Sequence, residues 1–244
     1  MVNAFWYFVM VPMVYISVIW CLVGIVVRIA QVVREPRPPH TLRIFRDDET
    51  PEDPLGAGLG AAFLDALTMP SIRRYQPVFW VFLMIFHVSL LVLVVAHLDI
   101  LPQINILSAE SQHMLGNGSV GVFFTVSLAY FLLRRFKGPV REVSVASDYL
   151  LLVLLLSIAI TGDVISWGNS WTEQGFVITK QEFGQYMTGL LTLSFADPLK
   201  LLPGTHYVVI GTHVLLVNLL LIFLPFSNLM HTCFSVPLNA LRRG

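Results

Sequence analysis

Five stretches of the sequence are almost continuously apolar over the distance that a helix needs to cross a bilayer. A spanning helix takes about 20 apolar residues, because each adds about 1.5 Å across a hydrocarbon core of about 30 Å. Lipid cannot bond to backbone N–H and C=O groups, so such segments must satisfy them internally as helices. The sequence therefore predicts an all-α integral membrane protein, a bundle of five transmembrane helices in a single domain over residues 1–244. The predicted spans are residues 4–27, 78–98, 114–134, 148–166 and 206–226.

The composition agrees with lipid as the solvent. The chain is 56% hydrophobic and 12% charged, whereas soluble domains carry about 25% charged residues. Its net charge is zero, which argues against a nucleic-acid partner. The isolated Cys21 and Cys233 exclude a four-cysteine iron–sulfur site, a CxxC zinc site and a CxxCH haem attachment. The N-terminal residues lack a basic region and a cleavage site, so the first span is predicted to be a retained helix.

Basic residues are distributed very unevenly along this pattern of spans. Thirteen of the fifteen lysines and arginines fall on one side: seven between spans one and two, four between spans three and four, and two in the tail. Only Lys180 and Lys200 fall on the other side. Cytoplasmic loops are enriched in lysine and arginine. The sequence therefore predicts a multi-pass protein of the inner (cytoplasmic) membrane, with its N-terminus outside, a cytoplasmic loop at 29–76 and a cytoplasmic C-terminus.

Four of the seven histidines form two pairs in or beside two antiparallel spans. His87 and His97 are in span two, His213 is in span five, and His231 follows its end. Ionisable side chains inside a bilayer are costly and are functional candidates by default, and imidazole is a common axial ligand of haem. The topology matches His97 with His213 and His87 with His231, which predicts two stacked bis-histidine b haems. The alternative, histidines that only hydrogen-bond between helices, is less favoured for two matched pairs.

The two histidine spacings differ. His87 and His97 are ten residues apart, about 15 Å of helix, whereas His213 and His231 are eighteen apart, about 27 Å. Placing the two pairs at the same depths requires a tilted helix or a break in span five. Pro225 lies between His213 and His231 and predicts a kink there. His206, seven residues before His213 on nearly the same face, is the alternative outer ligand, less favoured at the edge of the span.

The residues around these histidines resemble the respiratory nitrate reductase gamma subunit family. The resemblance is carried by span two from Phe86-His87 through His97, by the basic loop Arg134–Asp148, and by span five from Thr212-His213 through Pro225-Phe-Ser227 to His231. The long first cytoplasmic loop, with Leu55–Arg74, is more similar to the membrane cytochrome of the complex associated with dissimilatory sulfite reductase. Related subunits accompany heterodisulfide-reductase-like iron–sulfur proteins.

This resemblance implies cofactors and partners. It implies two b haems at the histidine pairs and a quinol site near the outer haem, with menaquinone or ubiquinone as substrate. It also implies a cytoplasmic iron–sulfur subunit, with the heterodisulfide-reductase-like kind favoured, within a larger membrane complex. A lysine placed near the quinol site in the family has no match here, where the region reads Glu110-Ser-Gln-His113.

Further polar residues are candidates for contacts with these groups. Arg134, Arg135 and Arg141 are predicted partners of the inner haem propionates, since arginine binds carboxylates bidentately; the alternative is that they only set orientation. Asp163 and His113 are candidates for the quinone site. The alternatives are that Asp163 lies among the headgroups and that His113 lies on the surface.

The sequence therefore predicts an electron-transfer subunit of a respiratory oxidoreductase complex. Electrons would move between membrane quinol and the iron–sulfur partner through two b haems, with no other chemistry performed by this chain. Two alternatives are kept, a haem-free membrane anchor and a transporter. The transporter is less favoured because the sequence shows no internal repeat.

Overall fold

The computed structural model of the chain describes residues 2–34, 64, 67–99, 101, 104, 106, 119–171, 180–200 and 207–230. All regular secondary structure in these residues is helical, so the predicted all-α class is confirmed. The α-helices are α1 (Val2–Met10), α2 (Pro12–Arg34), α3 (Pro70–Tyr75), α4 (Pro77–Asp99), α5 (Ser119–Arg135), α6 (Val140–Val143), α7 (Ala146–Trp171), α8 (Lys180–Leu191) and α9 (Tyr207–Phe223). Short 3₁₀ turns cover Pro198–Lys200, Leu224–Phe226 and Asn228–Met230.

Four apolar helical stretches in the described part of the chain are long enough to cross a membrane. They correspond to the first, second, fourth and fifth predicted spans, and they are Asn3–Val32, Pro77–Asp99, Ala146–Trp167 and Tyr207–Phe226. Helix α5 is the described part of the third predicted span. It has 17 residues, and residues 114–118 lie outside the described part. The five-span count stays a prediction.

The chain divides into two compact units. One combines Met1–Trp20 with Phe82–Phe223, and the other combines Cys21–Val81 with Leu224–Gly244. In the first unit, α7 packs closely against both α5 and α9, and α1 packs against α9. Helix α7 is thus the central helix of this unit, in contact with a neighbour on each side.

Aromatic side chains attach α4 to α5 in the first unit. Phe82 stacks on Tyr130 with ring centroids 4.0 Å apart, and Phe86 stacks on Phe124 at 5.1 Å. Leu128 of α5 is fully buried in the same cluster. These stacked rings hold α4 beside α5, and they fix the helix that carries His87 and His97.

Asn3–Val32 forms one candidate span as predicted, but its helix is interrupted by a turn at Val11 between α1 and α2, which the sequence did not predict. Pro12 opens α2, and its ring nitrogen has no hydrogen to continue the helical bonding. Two buried side chains donate to backbone carbonyls at the break. The Asn218 amide donates to the Val9 oxygen at 3.0 Å, and the Tyr186 hydroxyl donates to the Met10 oxygen at 2.6 Å.

The break predicted at Pro225 is present. Helix α9 ends at Phe223, ten residues after His213, and two 3₁₀ turns follow it. The Ser227 hydroxyl stabilises the first turn, since it donates to the Leu224 oxygen at 2.9 Å and accepts from the Leu229 N–H at 3.2 Å. The path toward His231 is therefore not a straight helix of about 27 Å.

Helix α2 seats the Pro225 turn within the second unit. A Cβ placed on Gly24 would stand 2.6 Å from the Pro225 Cγ, so only glycine lets the proline ring approach. Arg28 donates from Nε to the Pro225 oxygen at 3.3 Å, and its guanidinium lies 5.5 Å from the centroid of the Phe226 ring. The turn is thus held by both shape and hydrogen bonding.

Helix α8 lies in the segment that the sequence predicted only as an external connection. Its Tyr186 is buried with Met10, Val11 and Ile210. Tyr15 of α2 donates from its hydroxyl to the Leu190 oxygen at 2.7 Å. Helix α8 is too short and too polar to read as a span, and its packing against the N-terminal helices becomes evident only in the folded chain.

Candidate haem-ligand site

Three of the four predicted haem ligands lie in the described part of the chain. His87 and His97 are on α4, and His213 is on α9. The fourth, His231, lies outside the described residues, as do the alternative ligand His206 and the quinone-site candidate His113. The local geometry of the three described rings can therefore be compared directly.

Both histidines of α4 bond to their own helix. Nδ1 of His87 lies 2.8 Å from the Leu83 oxygen, and Nδ1 of His97 lies 2.6 Å from the Leu93 oxygen. A carbonyl oxygen can only accept, so Nδ1 carries the ring proton in both residues. The lone pair is then on Nε2, the nitrogen that can bind iron, and the helix itself fixes the tautomer of each ring.

His213 is instead oriented by a neighbouring helix. Its Nδ1 lies 2.9 Å from the Thr161 Oγ1 of α7. That hydroxyl also lies 2.9 Å from the Ser157 oxygen and 3.0 Å from the Ile158 oxygen, and it directs its one proton to these carbonyls. Thr161 therefore accepts from the His213 Nδ1–H, which leaves the lone pair of His213 on Nε2 as well.

Gly162 of α7 lies beside the same ring. A Cβ at this position would meet the His213 Cε1 at 3.4 Å and Nδ1 at 3.9 Å. The imidazole thus lies against the α7 backbone, with the Thr161 hydroxyl beside it. A Cβ at these distances would make an ordinary van der Waals contact, so the packing of α7 on α9 and the bond to Thr161 orient the His213 ring.

The fold brings His97 and His213 into the same region. The two rings are near enough to each other to interact electrostatically. His97 is exposed on the surface of α4 and His213 is partly buried. Imidazole rings that present Nε2 within one region fit the donor set of a bis-histidine haem. The assignment of these residues as a ligand pair stays a prediction, and so does the pairing of His87 with His231.

Two histidines on separate helices are the protein ligands that a bis-histidine haem requires. Among the residues that the structure describes, no group of three or more His, Cys, Asp or Glu side chains could hold a metal ion. A bis-histidine haem iron takes only two protein ligands, because the porphyrin supplies the other four nitrogens. Paired imidazoles on separate helices satisfy that requirement.

Asp163 lies between α7 and α5. Its carboxylate is 9% exposed and accepts a hydrogen bond of 2.7 Å from the Thr125 hydroxyl. Gly121 of α5 lies against the carboxylate, and a Cβ there would collide with its Oδ1. Two residues of helix turn the chain by about 200°, so Asp163 and Thr161 lie on opposite faces of α7. This places the carboxylate in the α5–α7 contact, and its role toward quinone stays a prediction.

The arginines predicted to bind haem propionates differ in their surroundings. Arg135 donates from Nη1 to the Asp148 Oδ2 at 2.9 Å and to the Ser144 hydroxyl at 3.0 Å. It thereby ties the end of α5 to the beginning of α7. Arg141 is exposed on α6, and Arg134 is partly exposed near the end of α5. The propionate role of all three stays a prediction, with Arg135 already engaged in an ion pair.

Thr161 and Gly162 are the site residues that the sequence did not identify. Threonine in a spanning helix commonly bonds back to its own helix, and Thr161 does so. Nothing in the local pattern distinguishes it from Thr212 or Ser157, which bond in the same way. The available signal was the adjacent polar triplet Thr161-Gly-Asp163 in an apolar span, of which only the aspartate was predicted to be functional.

The part of the chain that contains these histidines is similar to known proteins. The sequence profile of the family described as nitrate reductase gamma subunit matches residues 77–244. A curated relative from Archaeoglobus fulgidus, named Hdr-like menaquinol oxidoreductase cytochrome b-like subunit, is 28% identical over 162 residues. That alignment covers 62% of this chain and 46% of the relative, so the chain spans about half of the relative's length.

Proposed function

We propose, from the premise that the chain belongs to the nitrate reductase gamma subunit family, that it is the membrane subunit of a respiratory oxidoreductase complex. In this proposal it transfers electrons between membrane quinol and an iron–sulfur subunit through two b haems. His97 and His213 hold the outer haem, and His87 and His231 hold the inner one. The observation that carries the proposal is the shared tautomer of the three described histidines, each with its lone pair on Nε2.

The proposed arrangement follows the predicted orientation. Five spans place the N-terminus outside and the C-terminus in the cytoplasm, in the inner membrane. The quinol site lies at the outer end, where His113 and Asp163 are candidates for its polar contacts. Menaquinol is favoured as the substrate because the relative's name specifies a menaquinol oxidoreductase.

The proposed partner is an iron–sulfur subunit on the cytoplasmic face. The relative's name describes an Hdr-like complex, which supports a heterodisulfide-reductase-like partner. The sulfite-reductase-associated type is favoured from the long first loop, most of which lies outside the described residues. That loop and the C-terminal tail carry the basic residues that would face the partner.

The haem, when bound, supplies the one-electron chemistry, and the chain supplies position and tuning. Helix α4 fixes two ligand rings through its own carbonyls, and α7 fixes the third through Thr161. The regular helix of α9 ends at Phe223, before Pro225 and His231. The apolar spans keep water away from the ligands, which favours electron transfer over side reactions.

The test is optical and uses the whole chain in its membrane. A dithionite-reduced minus oxidised spectrum with pyridine haemochrome quantification is expected to give two b haems per chain. His97→Ala and His213→Ala should each remove the same haem, and His87→Ala and His231→Ala the other. His206→Ala is the matched control and should retain both haems.

Several outcomes would contradict the proposal. Absence of haem from the purified chain would favour the anchor or the transporter. Haem that survives all four histidine changes would exclude these residues as ligands. Loss of the outer haem in His206→Ala but not in His213→Ala would move the ligand to the alternative residue. With both haems present, reduction of the haems by a menaquinol analogue in membranes tests the quinol step separately.

A further inference from the structure

The three described histidines differ in what orients them. His87 and His97 donate to carbonyls one turn earlier in α4, so any α-helix at those positions would supply the same bond. His213 instead bonds to the Thr161 hydroxyl of α7, which is 52 positions away in sequence. The Thr161 bond therefore ties the His213 ring to a side chain of another helix, beside the Ile158 backbone, which also bonds to the ring.

Thr161 is itself held in place by its own helix. Its hydroxyl lies within hydrogen-bond distance of two α7 carbonyls, at Ser157 and Ile158. A β-branched side chain in a helix has few rotamers open to it, and a back-bonded hydroxyl has fewer. The hydroxyl therefore presents a fixed acceptor to the His213 Nδ1–H.

We propose that Thr161 is a positioning residue that sets the ring plane of His213 and lowers the reduction potential of the haem bound there. The proposal rests on the proposed function, in that it requires a haem on His213. It concerns one ligand of one haem only. Thr161 acts through His213 and needs no contact with the haem.

The direction follows from the electronics of imidazole. A hydrogen bond from Nδ1–H to an oxygen acceptor shifts electron density toward Nε2 and makes the ring a stronger donor to iron. A stronger donor stabilises ferric over ferrous iron and so lowers the potential. Removing the acceptor should raise the reduction potential of this haem. The potential of the haem assigned to His87 and His231 should stay unchanged.

The experiment compares Thr161→Val, Thr161→Ala and Thr161→Ser in the intact membrane protein. A spectroelectrochemical titration resolves the two haems, and the wave missing in His97→Ala identifies the outer one. Valine and alanine should move that wave to higher potential and leave the other in place. They should also shift the low-spin ferric EPR signal of the same haem. Serine, which keeps the hydroxyl, should retain wild-type values.

Thr212→Val is the matched control. Thr212 is adjacent to His213, is half-buried, and donates its hydroxyl to the Val208 oxygen of its own helix at 2.7 Å. The Thr212→Val change removes a threonine hydroxyl next to the same ligand, and it leaves the bond between Thr161 and the His213 Nδ1 in place. Both haem waves and both EPR signals should therefore match those of the wild type.

Each outcome decides the proposal. Wild-type potentials and EPR signals in Thr161→Val and Thr161→Ala, with both haems bound, would overturn it. Equal shifts in Thr212→Val, or loss of both haems together, would overturn it too, because the effect would not be specific to His213. Selective loss of the outer haem in the two variants, with serine retaining it, would support it. A wild-type chain with no haem would overturn the proposed function first.

Discussion

Gly24 of α2 and Pro225 beyond α9 meet at a contact that admits no side chain on the glycine. An added Cβ would stand 2.6 Å from the proline Cγ, and a pyrrolidine ring cannot swing away as a flexible side chain does. Arg28, one turn further along α2, donates to the Pro225 oxygen. The turn that precedes His231 by six positions is therefore shaped by α2.

The first prediction concerns Gly24→Ala. The added methyl group should displace the Pro225 turn and cost about 1–3 kcal/mol of stability, as overpacking usually does. On the proposed function, the haem that requires His231 should be lost or altered, and the other haem kept. Haem stoichiometry and the two EPR signals measure this. Val23→Leu, at an exposed neighbouring position of α2, should leave both haems unchanged, and an equal effect there would refute the prediction.

The second prediction concerns the α5–α7 contact. Gly121→Ala should drive a Cβ into the Asp163 carboxylate and destabilise the protein by about 1–3 kcal/mol. Thermal unfolding in detergent measures the loss. The double variant Gly121→Ala/Asp163→Ala removes the colliding atoms. Its loss of stability should therefore be smaller than the sum of the losses in the two single variants. Strict additivity would show that the two residues do not meet.

The third prediction concerns the buried polar pair that joins α2 to α9. Ser17 donates to the Asn218 Oδ1 at 2.8 Å, and Asn218 donates to the Val9 oxygen. Both side chains are almost fully buried. A double-mutant cycle of Ser17→Ala and Asn218→Ala should give a coupling of about 0.6–1.7 kcal/mol, the range found for hydrogen bonds between membrane helices. A coupling near zero would contradict the bond.

The fourth prediction concerns Tyr186 at high pH. Burial, and secondarily the charge that Tyr15 would carry, raise the pKa of the Tyr186 phenol above its ordinary value. A raised pKa means that the folded state favours the neutral phenol, so its contribution to stability is complete below the unfolded pKa of about 10 and is lost as pH rises above it. Unfolding midpoints measured from pH 8 to about 12 should fall in the parent.

Two variants test that assignment. Tyr186→Phe should lower stability at neutral pH by about 1 kcal/mol, because the bond to the Met10 oxygen is lost. The Tyr186→Phe change should also reduce the fall of the unfolding midpoint between pH 8 and about 12. Tyr75→Phe, at a residue 75% exposed, should leave the decline as in the parent. An identical decline in Tyr186→Phe would show that other groups cause it.

The sequence predicted the elements whose signal is local. Runs of apolar residues identified the four described spanning stretches, and Pro225 predicted the end of α9. The resemblance to the nitrate reductase gamma subunit family is confirmed by the match over residues 77–244. The break at Val11 and helix α8 were missed. The proline at position 12 was read as part of a continuous span, and α8 is too polar to stand out by hydropathy.

By itself, the sequence determined which segments are apolar enough for lipid and which histidines lie within them, because both properties belong to single segments. Only the tertiary structure decided what each histidine bonds to and which glycines are indispensable. The Thr161–His213 and Gly24–Pro225 contacts each join residues far apart in sequence. A threonine that bonds to its own helix looks the same in any span, and only the packing of α7 on α9 places this one against an imidazole.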